Sequence, residues 1–579
     1  MLLLCGVLFF TPDIFVSRYT TSPQIFLQSA VGFGLLPVFL RKKTTIHLPP
    51  AKYLVLIALC FCYHMIRDHG NFESFVTYMT IICTFLFFYG YWKETPDSHI
   101  AFTLFLCLGV VLSIWGLGQY VGWISKRYSV FTMTGPFNNP AGISASLALL
   151  FPFSLYFCYT PKNEKIRRIN ILASLLMIVA IILSGSRAAI LAMTVSGTLF
   201  VIHILKKDKR FKLSAPHYIM GILLGIFLSL GMYFMKKDSA DGRLLIWHCS
   251  GQLIKQAPLF GHGYNGFQAR YMTEQANYFD RNPESKYAML ADNTSHPFNE
   301  YIKETAEYGI IGLALILMPI VILFYKTRKK KSILKLFIAQ LSVASIAICA
   351  LFSYPLDYPF IVTMGIALIA YILVNSNETD SIVFKSISTR ILLLLSSITL
   401  TVATAYRMNC EHKWKNVAHE SLAGNTKKIL PQYDQLLKNT YLGKNGLFLY
   451  NYSAELNHIG KYEQSKAVLS LCSKYMNDYD MQMMLADNYQ QLNCNEEAES
   501  HYYLAHKMIP SKFVPLYALV HWCPFKIMFI VCKSFIFSNI YSEFLVHDLN
   551  WLLLRFPSNS VRNEFWQNSF LPNHAALSS

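Results

Sequence analysis

AFTLFLCLGVVLSIWGLGQYVG, residues 101–122, contains no Asp, Glu, Lys or Arg. A helix of that length rises about 30 Å, which matches the hydrocarbon core of a bilayer. The run is one of thirteen. The others lie near 2–16, 24–40, 52–66, 73–92, 141–159, 167–184, 188–205, 216–235, 308–325, 333–353, 356–374 and 390–406. A span needs about 17–25 apolar residues, so the first and third are short and the expected count is about 12–13. Composition agrees: 54% of residues are hydrophobic, 15% are charged and the mean hydropathy is +0.34. Soluble chains carry about 25% charge. A single soluble globular enzyme is excluded, and so is a disordered chain, which needs low hydrophobicity. The expected fold is all-α. A polytopic membrane helix bundle occupies 1–406 and holds a long loop at 236–307. A helical repeat domain follows at 407–579, irregular over 521–579. Residues 1–16 lack the positive start and the small-residue cleavage site of a secretory leader, so they read as a retained span.

The chain has 51 Lys and Arg against 33 Asp and Glu, a formal charge of +18. Location decides what this excess means. Segment 407–579 carries 16 basic and 14 acidic residues, segment 236–307 carries 8 and 9, and the remainder carries 27 and 10. The excess therefore sits between apolar runs, where the positive-inside rule operates, and nucleic-acid binding is not its meaning. Alternate loops hold 22 basic residues, among them Arg41, Lys42, Lys43, Arg167, Arg168, Lys329, Lys330, Lys385 and Arg390. The intervening short loops hold five: Arg18, Arg67, Lys126, Arg127 and Arg187. This asymmetry places the N-terminus in the cytoplasm, and the loop 236–307 and the tail outside. Seven of the 13 cysteines lie in apolar runs, and no CxxC pair or Cys/His cluster suggests a metal site.

The tail has a repeat signature. Ala486, Tyr489, Ala498, Tyr502, Ala505 and Pro510 follow the small/aromatic spacing of a tetratricopeptide repeat. A shift of 33 residues sets Gly460 opposite Asn493, Ser465 opposite Ala498 and Leu469 opposite Tyr502. Two degenerate repeats are expected, offering a surface for a protein partner. An ordinary stack of helical hairpins with no ligand fits the same spacing.

Four stretches carry polar residues at the outer ends of runs. SGSRAAI, 184–190, sets Arg187 at the edge of hydrocarbon, where a guanidinium faces a polar cavity or snorkels to the interface. In GRLLIWH, 242–248, Arg243 and Trp247 share a helix face by i, i+4 spacing, and Trp247 suits an interface anchor. PLFGHGYNGF, 258–267, has GxGxxG spacing but no strand before it, so its glycines read as a turn. SHPFNEYIKETAEYGIIGL, 295–313, places His296 before Pro297, which suits a helix start. His296, Asn299 and Glu300 are then expected on one helical turn, where His296 serves as a base or merely caps the helix. GPFNNPAG, 135–142, is a turn whose Asn139 can bond a sugar.

Taken in order, GPFNNP, SGSRAA, GRLLIW, PLFGHGYNGF and HPFNEY with EYGIIGL resemble the O-antigen ligase and polymerase superfamily of polytopic bacterial glycosyltransferases. The resemblance covers roughly 100–375. It implies a metal-independent transfer of a glycan from an undecaprenyl pyrophosphate carrier to an acceptor on the outer face of the bacterial cytoplasmic membrane, with no cofactor. It matches Arg187 and Arg243 to the family's arginines and His296 to the histidine that activates the acceptor. Trp247, Asn139, Asn299 and Glu300 become substrate-binding candidates. Pro297 stands directly after the histidine, where the commoner ligase motif has Asn. The acceptor left open is lipid A core, a growing polysaccharide or a protein, which corresponds to a ligase, a polymerase or a protein O-oligosaccharyltransferase. A flippase or transporter is also polytopic and basic, but its charged residues sit at mid-membrane.

Overall fold

The computed structural model describes residues 2–18, 20–40, 46–95, 97–126, 131–161, 163–207, 231, 237–328, 333–376, 382–384 and 387–522. The expected span at 216–235 and the irregular stretch 521–579 lie almost wholly outside them. The protein is an all-α polytopic membrane protein. Among the described residues, seven helices are long and apolar enough to cross a bilayer: Phe72–Glu94, His99–Val121, Pro140–Tyr159, Glu164–Leu183, Arg187–Lys206, Glu300–Thr327 and the helix through Arg390. Leu334–Ala350 and Pro359–Val374 are shorter apolar helices. The chain divides into two compact units. The membrane unit is Met1–Lys237 with Phe298–His412, and the loop-and-tail unit is Asp238–Pro297 with Lys413–Ser579.

In the membrane unit, helix starts are set by asparagines. Asn71 accepts from the N–H groups of Glu73 and Ser74, Asn139 from Ala141, Asn163 from Lys165 and Asn299 from Ile302. Each satisfies a donor that the first helical turn leaves unpaired. Pro140–Tyr159 is the core element. It is buried along most of its length and packs on His99–Val121, Glu164–Leu183, Arg187–Lys207 and Leu334–Ala350. Being enclosed by helices on every side, it has no polar face to show.

Three features depart from the sequence expectation. The first apolar run, 2–16, forms a helix only over Leu2–Phe9. Pro12 cannot donate to an extended helix, and the chain turns there, with Arg18 Nε donating to Thr11 O at 2.6 Å. Eight residues rise about 12 Å, so this helix is shorter than a span. Second, the run expected at 308–325 belongs to a longer helix, Glu300–Thr327, broken at Gly309 with φ 68° and ψ −177°. That conformation is open to glycine alone. The Tyr308 carbonyl beside the break accepts from Tyr63 Oη at 2.6 Å. Third, Ile46–Leu48 pairs antiparallel with Ile382–Phe384.

The loop-and-tail unit begins with two helices, Lys237–Gln256 and Gly266–Arg281. The turn between them contains Gly261, Gly263 and Asn265, all at positive φ. In the tail, Gly446–His458 and Tyr462–Cys472 form one hairpin and Tyr479–Gln491 and Asn495–Met508 the next. First helices and second helices both start 33 residues apart. Gly460 and Asn493, the paired turn positions, both have positive φ, 80° and 58°. The bond from Lys461 N to Leu456 O has its counterpart from Cys494 N to Tyr489 O, each 2.9 Å.

Candidate functional site

The membrane unit holds Arg187, Asn139, Asn299 and Glu300. The loop-and-tail unit holds Arg243, Trp247 and His296.

Arg187 opens the helix Arg187–Lys207 behind a tight turn. Ser184 Oγ donates to Ile181 O at 2.7 Å, Gly185 takes φ 66°, and Ser186 Oγ receives Ala189 N–H at 3.4 Å. Ala188 and Ala189 are buried, so the first turn is fixed while the Arg187 side chain stays half-buried. The SGSRAA motif is thus a small-residue mount for one guanidinium.

The start of Glu300–Thr327 is bound to the segment 347–357, which the sequence reading did not single out. Asn299 Oδ1 caps the helix at Ile302 N–H, 3.0 Å, and its Nδ2 donates to Leu351 O, 3.0 Å. Glu300 is buried and accepts from Leu356 N–H at 2.9 Å. Tyr301 Oη donates to Ala347 O, and Lys303 Nζ meets Asp357 Oδ1 at 3.1 Å. Both ends of the Asn299 amide and one oxygen of Glu300 are therefore engaged in holding this corner. An aromatic column of Phe298, Tyr354, Tyr358 and Phe137 joins the corner to the GPFNNPAG turn, with centroid spacings of 5.7, 6.0 and 5.4 Å. Asn139 in that turn caps Pro140–Tyr159 through Ala141 N–H at 2.9 Å.

One turn along the same helix, Glu304 meets a histidine from the helix Ala51–Arg67. His64, 0% exposed, places Nε2 2.9 Å from Glu304 Oε1 and Nδ1 2.7 Å from Cys60 O. Tyr308 Oη donates to buried Asp68 Oδ2 at 3.2 Å. These partners stand 240 residues apart, and no local pattern announces them. Arg407 was missed for the same reason: it is buried, with Nη2 donating to Gln24 Oε1 and Glu73 Oε1. Among the described residues no group of three His, Cys, Asp or Glu side chains is placed to hold a metal ion.

In the loop-and-tail unit, Arg243 and Trp247 lie half-exposed on one face of Lys237–Gln256, as their spacing predicts. The Trp247 indole N–H donates to Pro297 O at 2.9 Å, so it fixes the peptide that follows His296. His296 is not on a helical turn. It lies in an irregular segment, and the helix starts at Glu300 behind its Asn299 cap. The reason is Phe298, at φ 51°, a left-handed conformation that interrupts any helix begun at Pro297. His262 serves the glycine turn, with Nε2 2.9 Å from Leu253 O, and His248 is exposed beside Tyr278.

The fold and these residues define a class: a polytopic all-α membrane protein with an arginine mounted at the mouth of a span and an arginine, a tryptophan and a histidine in a helical insertion between spans. Residues 172–317 match the family described as O-antigen ligase, the family that the chain's motifs resemble. The match takes in Arg187, Arg243, Trp247, His296, Asn299 and Glu300. It excludes Asn139 and the tail. Three relatives are described as "putative polysaccharide ligase". The chain is similar to one from Rickettsia felis at 30% identity over 278 residues, 46% of this chain and 65% of that one. Others are from Rickettsia typhi, 31% identical over 160 residues (26% and 38%), and Rickettsia conorii, 29% over 175 (29% and 40%). The chain thus spans less than two thirds of the length of these curated relatives.

Proposed function

We propose that the protein is a glycan ligase that moves a glycan from an undecaprenyl pyrophosphate carrier to an acceptor hydroxyl on the outer face of the bacterial cytoplasmic membrane. The observation that carries this reading is the ligase-family match over 172–317, a range that includes Arg187, Arg243 and His296. In the proposed step, His296 takes the proton of the acceptor hydroxyl as its oxygen attacks the anomeric carbon. The bond from that carbon to the phosphate oxygen breaks, and the pyrophosphate leaves with the electron pair. Its growing negative charge needs fixed cations, and a planar guanidinium bonds two phosphate oxygens at once. Arg187 and Arg243 fill that role. Trp247 supports the base by holding the Pro297 carbonyl.

The membrane placement has its own support. The 22-to-5 asymmetry supports a cytoplasmic place for the basic loops. The loop-and-tail unit is then periplasmic. The tail is read as two tetratricopeptide-like repeats, supported by the 33-residue offset and the shared turn geometry. The acceptor is lipid A core, a growing polysaccharide or a protein. A polysaccharide or protein acceptor uses the same chemistry, whereas a flippase leaves the glycan on its carrier.

The test is purified protein in proteoliposomes with an undecaprenyl pyrophosphate-linked glycan and each acceptor class in turn. Glycan transfer with release of undecaprenyl pyrophosphate is expected. Movement of the intact lipid-linked glycan without bond cleavage would replace the ligase reading with the flippase one.

A further inference from the structure

The helical tail grips the insertion that carries His296, and it does so through groups that helices leave unpaired at their ends. Tyr479 N–H belongs to the first turn of Tyr479–Gln491, where no intrahelical acceptor exists. Its acceptor is Asn293 Oδ1 at 3.2 Å, while Asn293 Nδ2 donates to Asp480 Oδ2 at 2.8 Å. Both ends of the Asn293 amide are thus fixed by two consecutive tail residues. Met508 O ends the helix Asn495–Met508, where carbonyls lack intrahelical donors. It accepts from Gln275 Nε2 at 2.7 Å, and Gln275, 1% exposed, is itself held by Tyr271 Oη at 2.7 Å. Asn477 donates its backbone N–H to Gln268 O and its side-chain amide to Thr273 Oγ1, each at 3.1 Å. Lys507 closes on Asp280 at 2.6 Å.

Asn293 precedes His296 by three residues. Trp247 holds Pro297, the residue after it. The histidine therefore sits on a short irregular segment tied at both ends, one tie coming from the insertion's own helix and the other from the tail. An irregular segment has no ladder of backbone bonds to fix it, so such side-chain ties determine where it lies.

We propose that the tail is an internal clamp on the catalytic insertion, with Asn293 as the positioning residue for His296 and Asp480 with Tyr479 N–H as its anchors. This face of the repeats is occupied by the chain itself and is closed to an acceptor protein. The proposal rests on the reading of His296 as the base, and the experiment separates the two.

Full-length Asn293→Ala, Asp480→Ala, Asp480→Asn, the Asn293→Ala/Asp480→Ala double variant and His296→Ala are compared in the proteoliposome assay. Rates are normalised to the monodisperse folded fraction of each. Asp480→Ala and Asn293→Ala are expected to lower kcat about 10- to 100-fold with the donor KM unchanged. Asp480→Asn keeps an oxygen that accepts from Asn293 Nδ2 and is expected to restore most of the rate. The double variant should be no slower than the slower single variant, because both remove one tie. Wild-type kcat in Asp480→Ala, failure of Asp480→Asn to recover, or multiplicative losses in the double variant each overturn the clamp. If His296→Ala turns over normally, the base assignment fails instead, whatever the clamp variants do.

Discussion

Polar side chains are used differently in the two units. In the membrane unit many of them turn back on their own helix. Thr80, Ser113, Ser146, Ser345, Thr363 and Thr404 each donate to the carbonyl four residues earlier. In the loop-and-tail unit they reach across the chain. Asn451 accepts from Trp414 and Tyr433, Asn457 donates to Asp487, Asn488 donates to Ser465 and Gln275 donates to Met508. The solvent explains the contrast. In lipid no water stands ready to solvate a stray hydroxyl, and the nearest helix carbonyl is always within reach. Outside it, apolar burial is thinner and long-range polar pairs fix which helix sits where. Disturbing the two units should therefore have unequal effects.

The largest effect is expected from the loop-and-tail unit at the proposed base. His296→Ala should lower transfer about 10²- to 10⁴-fold in single-turnover assays, the usual range for a positioned base. His262→Ala, which removes only a turn contact, should stay within a few-fold. Equal losses would mean that the insertion responds as a fold and not as a catalytic element. Next come the arginines, one per unit. Arg187→Lys and Arg243→Lys keep the charge but lose the forked contact, and each should cost about 10²- to 10³-fold in kcat. A silent Arg187→Lys would reduce the membrane unit to a scaffold and leave the chemistry to the insertion.

Stability comes third. Asn451 is 0% exposed and holds two donors at 2.9 Å. Asn451→Ala strands both, and should cost about 2–4 kcal/mol in thermal unfolding of the detergent-solubilised protein, followed through Trp414 fluorescence. Ser113 is as deeply buried, but its hydroxyl only reinforces Gly109 O, so Ser113→Ala should cost less than about 1 kcal/mol. Comparable losses would erase the contrast drawn above. The smallest effect is a pH dependence of the tail. Burial holds His501 and His506 below the usual histidine range. In the unfolded chain they protonate near 6.5. Below that pH the unfolded state binds protons that the folded state refuses, so stability present above about pH 6.5 falls as the pH drops further. The Trp414 transition midpoint should be lower at pH 5.5 than at 7.5, and His501→Gln should narrow the gap.

What was legible in the sequence follows the same division. Apolar runs are local, and they showed most spans. The 33-residue offset was visible because Gly460 and Asn493 must both adopt a left-handed turn, which few residues accept. Arg243 and Trp247 fell on one face because helical spacing requires it. The reading failed where a distant partner decides. Pro297 looked like a helix start, but the backbone at Phe298 and the Asn299 cap moved the start to Glu300. The insertion read as a loop because its two helices, Lys237–Gln256 and Gly266–Arg281, carry too many polar residues to register as apolar runs. His64 with Glu304, Asp68 with Tyr308, and Asn293 with Asp480 pair across 187 to 240 residues, and no periodicity encodes such matches.

The loop-and-tail unit is made of two chain segments with spans between them, and this has a consequence for biogenesis. A ribosome working at about 5–20 residues per second needs about 10–40 s to travel the 187 residues from Asn293 to Asp480. Throughout that interval the insertion has been synthesised but its clamp has not. Gln275 and Asn293 wait in water for partners still inside the ribosome, and His296 has no fixed place. On the proposed function, catalytic competence arrives late in synthesis, after the last membrane helix has been inserted and the repeats have folded back onto a segment made long before them.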